Sequence, residues 1–280
     1  RPGLYFGMTF LVSFVLYFAG AYASFHEEYS HLYMVFMLPG LMTPFLISLG
    51  MIFTSGNTDL KRNFIKRLTN IRLIDPKTLP VFIFVMPLAV LVSIFLSLPF
   101  GESMDQLQLA EGFSFSTGFV PVLLLLLLAA TFEELGWRGY AFDGLQSRHS
   151  LLKATLLFSV LWSLWHFPLV FVKDSYQYKI LQQDIWFALN FFVSIIPLGI
   201  IITWICLRNQ KSVIAAILFH FIVNLSQEIL AITQITKCVE TGMLSVIAVV
   251  IIVMDKDLFA QKSITIQTGR KEINVKQLNN

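Results

Sequence analysis

The feature that most constrains this chain is a series of apolar segments long enough to cross a lipid bilayer. They fall at about 4–24, 32–54, 81–100, 119–135, 151–172, 185–207, 212–236 and 242–254. A helix rises 1.5 Å per residue, so roughly 20 apolar residues cross the hydrocarbon core. The sequence therefore predicts an all-α, polytopic integral membrane protein with about eight transmembrane helices around an internal cavity.

Composition excludes most other classes. Of 280 residues, 56% are hydrophobic and 13% are charged, too few charges for a soluble domain. No internal repeat or linker divides residues 1–280, which predicts a single membrane domain. The net charge of +3 comes without a Lys/Arg stripe among aromatic residues, so nucleic acid is not expected as a partner. Cys206 and Cys238 lack the spacing of a disulfide framework or a thiolate metal site.

The distribution of charge predicts an orientation. The segment 55–80 carries Lys61, Arg62, Lys66, Arg67, Arg72 and Lys77. The segments 25–31 and 101–118 contain acidic side chains and neither Lys nor Arg. Because cytoplasmic loops carry the excess of basic residues, the segment 55–80, both termini and the basic tail 255–280 are expected in the cytoplasm.

The basic segment also shows helical spacing. Its apolar residues are Leu60, Phe64, Leu68 and Ile71, and its basic residues lie mostly on the other side. This pattern is typical of a helix lying on an anionic lipid surface. A cluster that only orients the protein, without binding lipid headgroups, would give the same pattern.

Two adjacent carboxylates end the fourth apolar segment, before the chain is expected to turn at Gly139. Charged groups in hydrocarbon are costly, so both are expected to face the protein interior. Glu134 and Arg138 have the i,i+4 spacing of an intrahelical ion pair. Glu133 lies about 100° round the helix, has no such neighbour, and is a candidate general base. A helix-end salt bridge at the membrane surface is the alternative for the Glu134–Arg138 pair.

Two histidines lie inside apolar segments, each with a partner one turn away. His166 follows Trp162 by four residues, and His220 precedes Asn224 by four. With Glu133, these groups can provide a base, a proton shuttle and oxyanion donors, the requirements of peptide hydrolysis. Measured from the basic ends of the helices, Glu133 and His220 lie at about 10 Å but His166 at about 20 Å, so His166 fits this level poorly.

These three motifs, in order within residues 119–228, resemble the CAAX prenyl protease type II family. This is the Ras-converting enzyme group within the CPBP (Abi) intramembrane proteases. The motifs are Glu133-Glu134-x-x-x-Arg138, Trp162-x-x-x-His166 and His220-x-x-x-Asn224. The second motif usually begins with Phe, so Trp162 is a departure from the family pattern.

The resemblance implies roles for these residues. Glu133 would activate water with help from His166, and His220 and Asn224 would form the oxyanion site. Glu134, Arg138 and Trp162 would support the site. The family removes the C-terminal tripeptide after an isoprenylated cysteine, so the expected partners are a prenylated CaaX protein or peptide and membrane lipid. The active site is then expected to open on the cytoplasmic side.

Three alternatives stay open at this point. Two histidines and two carboxylates can hold zinc, although the HExxH pattern is absent and we expect no metal or other cofactor. Intramembrane Glu and His also occur in proton- or ion-coupled transporters, but no inverted repeat is visible. The third alternative is a noncatalytic membrane scaffold or immunity protein, which the presence of all three motifs argues against.

Overall fold

We describe the protein from a computed structural model that covers residues 2–113, 121–261, 266–268 and 271–273. The α-helices are α1 Pro2–Phe25, α2 Tyr33–Thr54, α3 Thr58–Thr69, α4 Leu79–Ser97, α5 Val122–Gly136, α6 Phe142–Gln146, α7 Leu151–Trp165, α8 Tyr176–Gln183, α9 Ile185–Arg208, α10 Val213–Glu228, α11 Gln234–Met254 and α12 Lys256–Ala260. Two short strands, β1 Ile266–Thr268 and β2 Lys271–Ile273, pair antiparallel in the tail. The start of the predicted segment 119–135, part of the loop 101–118 and half of the tail 255–280 lie outside the described residues.

Within the residues that the structure describes, six helical segments are long and apolar enough to cross a membrane. They are Pro2–Phe25, Glu27–Thr54, Pro76–Phe100, Leu151–Phe171, Ile185–Arg208 and Gln234–Met254. The prediction of an all-α polytopic membrane protein is confirmed. The helices α5 and α10 are also apolar but have only 15 and 16 residues, or about 22–24 Å. They lie within the bundle, where α5 contacts α2 and α10, and α10 contacts α4, α5 and α9.

Side-chain caps fix where several helices begin. The capping residues are Ser150, Ser175, Asp184, Ser212 and Thr233, each accepting a hydrogen bond from a backbone N–H of the first turn. Thr233 explains one wrong boundary, because α10 ends at Glu228 and α11 already begins at Gln234, not at 242. The first turns of α11 contain Lys237 and Glu240, which hide the start of this helix from a hydropathy pattern.

The predicted turn at Gly139 is wrong. The helix continues from α5 through a π-helical turn, Trp137–Ala141, into α6 and ends at Gln146. The glycine instead permits a close approach, because a Cβ atom at Gly139 would lie 2.9 Å from the ring of Phe64 on α3. A Cβ atom at Gly136 would lie 2.4 Å from the backbone carbonyl carbon of Pro44, so α5 and α2 also pack in direct backbone contact.

The helix predicted in the basic segment is present as α3, but its apolar face packs on protein. Phe64 is 3% exposed, within a cluster that includes Leu135 and Ile217, whereas Ile71 is 67% exposed. Arg67 is also buried and is not part of a solvated basic surface. Its guanidinium donates to the backbone oxygens of Lys211 (2.7 Å) and Arg138 (2.6 Å) and to Asp143. Arg67 therefore joins α3 to the rest of the bundle.

The connections between helices form two opposite ends of the bundle. The basic face contains the segments 55–78, 147–150, 209–212 and 255–261, and the mouth face contains 26–32, 98–113, 166–184 and 229–233. At the basic face, Arg208 on α9 pairs with Asp255, and Asn209 accepts from the backbone N–H of Asp75. The helix α1 begins and α11 ends at this basic face.

Candidate active site

A cavity of about 650 Å³ enters the bundle from the mouth face. It is lined by residues of α1, α2, α5, α7, α9, α10 and α11, and at its entrance by the exposed residues Ser30 and Lys173. The four predicted catalytic residues all line it: Glu133, His166, His220 and Asn224. The fold therefore brings together the groups that the sequence singled out.

Glu133 has a partner that the sequence did not reveal. The carboxylate is 6% exposed, and its Oε2 accepts a hydrogen bond of 2.7 Å from the indole Nε1 of Trp162. Glu133 has no ion-pair partner on its own helix, as its spacing indicates, but it is not left free, because a residue 29 positions away provides a hydrogen bond. An indole N–H is a donor only, so this hydrogen bond fixes the orientation of the carboxylate.

Glu134 points away from Glu133 and forms the buried ion pair that its spacing predicts. Its Oε1 lies 2.9 Å from Nη1 of Arg138 and 2.9 Å from Nδ1 of His220, and neither Glu134 nor Arg138 is more than 1% exposed. The Arg138 guanidinium also lies 4.4 Å from the ring centroid of Phe158 and 4.9 Å from that of Trp162. This buried position rules out the membrane-surface salt bridge considered as the alternative.

The hydrogen bond from His220 goes to Glu134 and not to Asn224, its neighbour one turn along α10. An ionised carboxylate only accepts, so Nδ1 of His220 carries a proton. The remaining nitrogen, Nε2, is then an acceptor in the neutral ring and a donor in the imidazolium. The ring of His220 lies edge to face with Trp162 at 5.3 Å, so Trp162 contacts this histidine as well as Glu133.

His166 caps the end of α7 at the mouth face. Its Nδ1 lies 2.9 Å from the carbonyl oxygen of Trp162, which makes Nδ1 the protonated nitrogen and leaves Nε2 to accept a proton. Trp165 and Phe191 contact the imidazole edge to face, at 4.9 and 5.6 Å. The backbone hydrogen bond and the two aromatic rings hold the imidazole in one orientation.

The continuous helix through Gln146 corrects the depth expected for Glu133. Counted from Gln146, Glu133 lies about 20 Å from the basic face, not 10 Å. Counted from Leu151, His166 lies at about 22 Å, so the two residues are level. His220 is only about 10 Å from the start of α10. Because Lys211 and Val213 are buried, α10 begins below the protein surface, and His220 therefore lies more than 10 Å from the basic face.

The cavity entrance and the chain ends do not share a face. The entrance lies at the mouth face, whereas α1 begins and α11 ends at the basic face. The predicted cytoplasmic location of both termini and of the active-site opening stays a prediction, with the chain ends and the cavity entrance at opposite ends of the bundle. The sequence argument placed Glu133 too near the basic face because it ended the helix at Gly139.

Two further observations concern ligands of the cavity. Among the described residues, no three His, Cys, Asp or Glu side chains are grouped as a metal site. The expectation of a metal-free site stays a prediction.

The sequence analysis also overlooked Lys237 and Glu240 of α11, which line the cavity with Gln227 of α10. Their spacing of three residues inside an apolar stretch was the available signal.

Comparisons with known proteins agree with these motifs. The family model described as "Type II CAAX prenyl endopeptidase Rce1-like" matches residues 115–226. A relative from Methanococcus maripaludis, named "CAAX prenyl protease 2", is 62% identical over 262 residues. The match covers 94% of this chain and 97% of that relative.

Proposed function

This chain belongs to the CAAX prenyl protease 2 family, and from that membership we propose that it is an intramembrane endopeptidase. Its substrate is a protein or peptide ending in an isoprenylated cysteine followed by three residues. The enzyme hydrolyses the peptide bond after that cysteine and releases the tripeptide. The prenyl chain stays in the apolar part of the cavity or in the surrounding lipid.

The proposed first step is attack by water that Glu133 deprotonates. The indole of Trp162 occupies Oε2 of Glu133, so the proton passes to Oε1. The new hydroxide adds to the carbonyl carbon of the prenylated cysteine residue and forms a tetrahedral oxyanion. The Nε2 atom of His166, an acceptor in the neutral ring, assists in orienting the water or in receiving the proton.

His220 and Asn224 are proposed to stabilise the oxyanion. The amide of Asn224 donates directly, and Nε2 of His220 donates when the ring is an imidazolium. The carboxylate of Glu134 accepts from Nδ1 of His220 and orients the ring, while Arg138 shares the same oxygen and holds Glu134 in place. Breakdown of the intermediate returns the proton from Glu133 to the leaving amine, which completes hydrolysis without a covalent enzyme intermediate.

The observation that carries this proposal is the buried Glu133 carboxylate, oriented by Trp162, in a cavity that also contains His166, His220 and Asn224. The test is to incubate the purified protein with a farnesylated CaaX peptide and identify the products by mass spectrometry. We expect a free tripeptide and a fragment ending in farnesylcysteine. An intact peptide, or cleavage at another bond, would contradict the proposed function.

A further inference from the structure

A second polar group lies in the same cavity, on the wall formed by α11. Its central residue is Lys237, which is half-buried and lines the cavity near the mouth face. The Lys237 Nζ lies 3.2 Å from the hydroxyl of Tyr176 and 4.5 Å from the centroid of the Tyr176 ring. The Tyr176 hydroxyl in turn donates to Oε1 of Gln234. These contacts hold the ammonium against the cavity wall.

The positive charge of Lys237 has neutral partners at close range. In the part of the chain that the structure describes, Lys237 forms no ion pair with a carboxylate. Glu240, one turn deeper, is 2% exposed, and its Oε1 accepts from Nε2 of Gln227 at 2.7 Å. Glu240 interacts electrostatically with Lys237 but forms no ion pair with it, so the half-buried ammonium is suited to bind an anion from the cavity.

The position of Lys237 matches the length of the fragment that leaves. His220 is eight residues before the end of α10, or about 12 Å below the mouth face, and Lys237 is three residues into α11, or about 4.5 Å below it. Along the bundle axis the two differ by about 7.5 Å. Three extended residues span at most about 10 Å. A tripeptide beginning at His220 therefore reaches the level of Lys237 with its C-terminus.

We infer that Lys237 binds the C-terminal carboxylate of the substrate, an inference that rests on the proposed function. The charge of Lys237 would hold the chain end while the scissile carbonyl lies at His220 and Asn224. The enzyme would thereby select substrates with three residues after the prenylated cysteine and a free acid at the end.

The test compares a farnesylated CaaX peptide with the same peptide amidated at its C-terminus. The kcat/KM for each is measured with the wild type and with Lys237→Met, Lys237→Arg, Lys173→Met and Lys179→Met. We expect the wild type to prefer the free acid by about 10-fold, the value of one charge-assisted hydrogen bond in a partly exposed site. Lys237→Met should cut the rate on the acid to that on the amide, whereas Lys237→Arg should retain the preference.

The matched control is Lys179→Met, because Lys179 is an exposed lysine at the same face and outside the cavity. It should leave the acid-to-amide ratio unchanged. An equal ratio in the wild type and Lys237→Met would overturn the inference, as would loss of the preference only in Lys173→Met, which removes the other cavity lysine. Failure of the wild type to cleave either peptide would instead overturn the proposed function, so the two failures are distinguishable.

Discussion

At the scale of single residues, one hydrogen bond divides the two oxygens of Glu133 between structure and chemistry. The Trp162 indole donates a hydrogen bond to Oε2, and Oε1 is the oxygen that is proposed to accept the proton from water. The ion pair of Glu134 with Arg138 was predictable from spacing along one helix, and it is confirmed. The contacts of Trp162 with Glu133 and of Glu134 with His220 join different helices, so no spacing rule reveals them.

The substitution Glu133→Gln should reduce turnover of a farnesylated peptide on the order of 10²- to 10⁴-fold, because the amide keeps the shape but cannot take a proton. The Oε1 or Nε2 of the new side chain can still lie beside Trp162, so the fold should be retained. The measurement is product formation by mass spectrometry, with the melting temperature in detergent as the control for folding. Activity near the wild-type level would show that Glu133 is not the base.

Removal of either proposed oxyanion donor should lower kcat on the order of 10²-fold. The variants are His220→Ala and Asn224→Ala, and the effect should fall on kcat because an oxyanion exists only after attack. Steady-state kinetics on the farnesylated peptide give kcat and KM separately. A raised KM with unchanged kcat in both variants would assign these side chains to substrate binding instead.

Activity is expected to need no metal ion. The Glu134 oxygen that is hydrogen-bonded to His220 also accepts from Arg138, which competes with coordination of a metal by that oxygen. The measurement is elemental analysis of active protein together with activity after prolonged chelation. One equivalent of zinc that leaves together with activity would contradict this prediction.

At the scale of elements, the sequence located the main helices but not the way they continue or begin. Hydropathy measures lipid compatibility, so it found the long segments such as α1 and α9. It does not register a π-helical turn, and it therefore ended α5 at Gly139 and placed Glu133 too close to the basic face. Hydropathy also placed the start of α11 too late in the chain, because the polar side chains there face a cavity and not lipid.

One carboxylate joins three elements at the basic face. Asp143 of α6 accepts from Arg67 of α3 and from Nζ of Lys211, both at 2.7 Å. Burial alone would raise the pKa of Asp143, but the charges of Lys211 and Arg67 outweigh it and hold the pKa below its ordinary value. The stabilisation is therefore present above the unfolded-state pKa of about 3.9 and is lost as the pH falls through the lower folded-state pKa.

Asp143→Asn should lower the free energy of unfolding by about 3 kcal/mol at neutral pH, because it leaves two buried cations without their partner. It should also remove this contribution to acid destabilisation. Thermal unfolding in detergent across the acid range measures both effects. The control is Asp59→Asn, which breaks an exposed pair with Arg62 and should change little. Equal effects of the two substitutions would contradict a special role for Asp143.

At the scale of the whole molecule, the opposite placement of cavity entrance and termini decides how orientation is tested. The positive-inside rule places the basic face in the cytoplasm, so the mouth face should lie on the other side of the membrane. Supply of prenylated substrate from the cytoplasm would require the reverse orientation. The charge distribution therefore predicts that the basic face lies in the cytoplasm, whereas substrate access predicts that the mouth face does. The sequence alone did not show this conflict, because it does not show at which face the cavity opens.

We expect the charge rule to hold, with Ser30→Cys labelled from outside intact cells and Thr69→Cys labelled only after permeabilisation. Both residues are exposed, one at each face. The background is Cys238→Ser, since Cys238 is half-buried and Cys206 is buried. The reverse pattern with a membrane-impermeant maleimide would show that the entrance is cytoplasmic. Labelling of both positions from one side would contradict the fold itself.

The closed inner end of the cavity has a consequence for the order of events in turnover. Below the site, the bundle is filled by buried side chains that include Trp137, Arg138 and Phe158. The released tripeptide is therefore expected to leave through the mouth face, from which the cavity is entered. While it remains, the next chain end cannot enter, so the short peptide should inhibit competitively and its departure should precede the next binding event. Substrate binding and tripeptide release then use the same face of the protein and cannot occur at the same time.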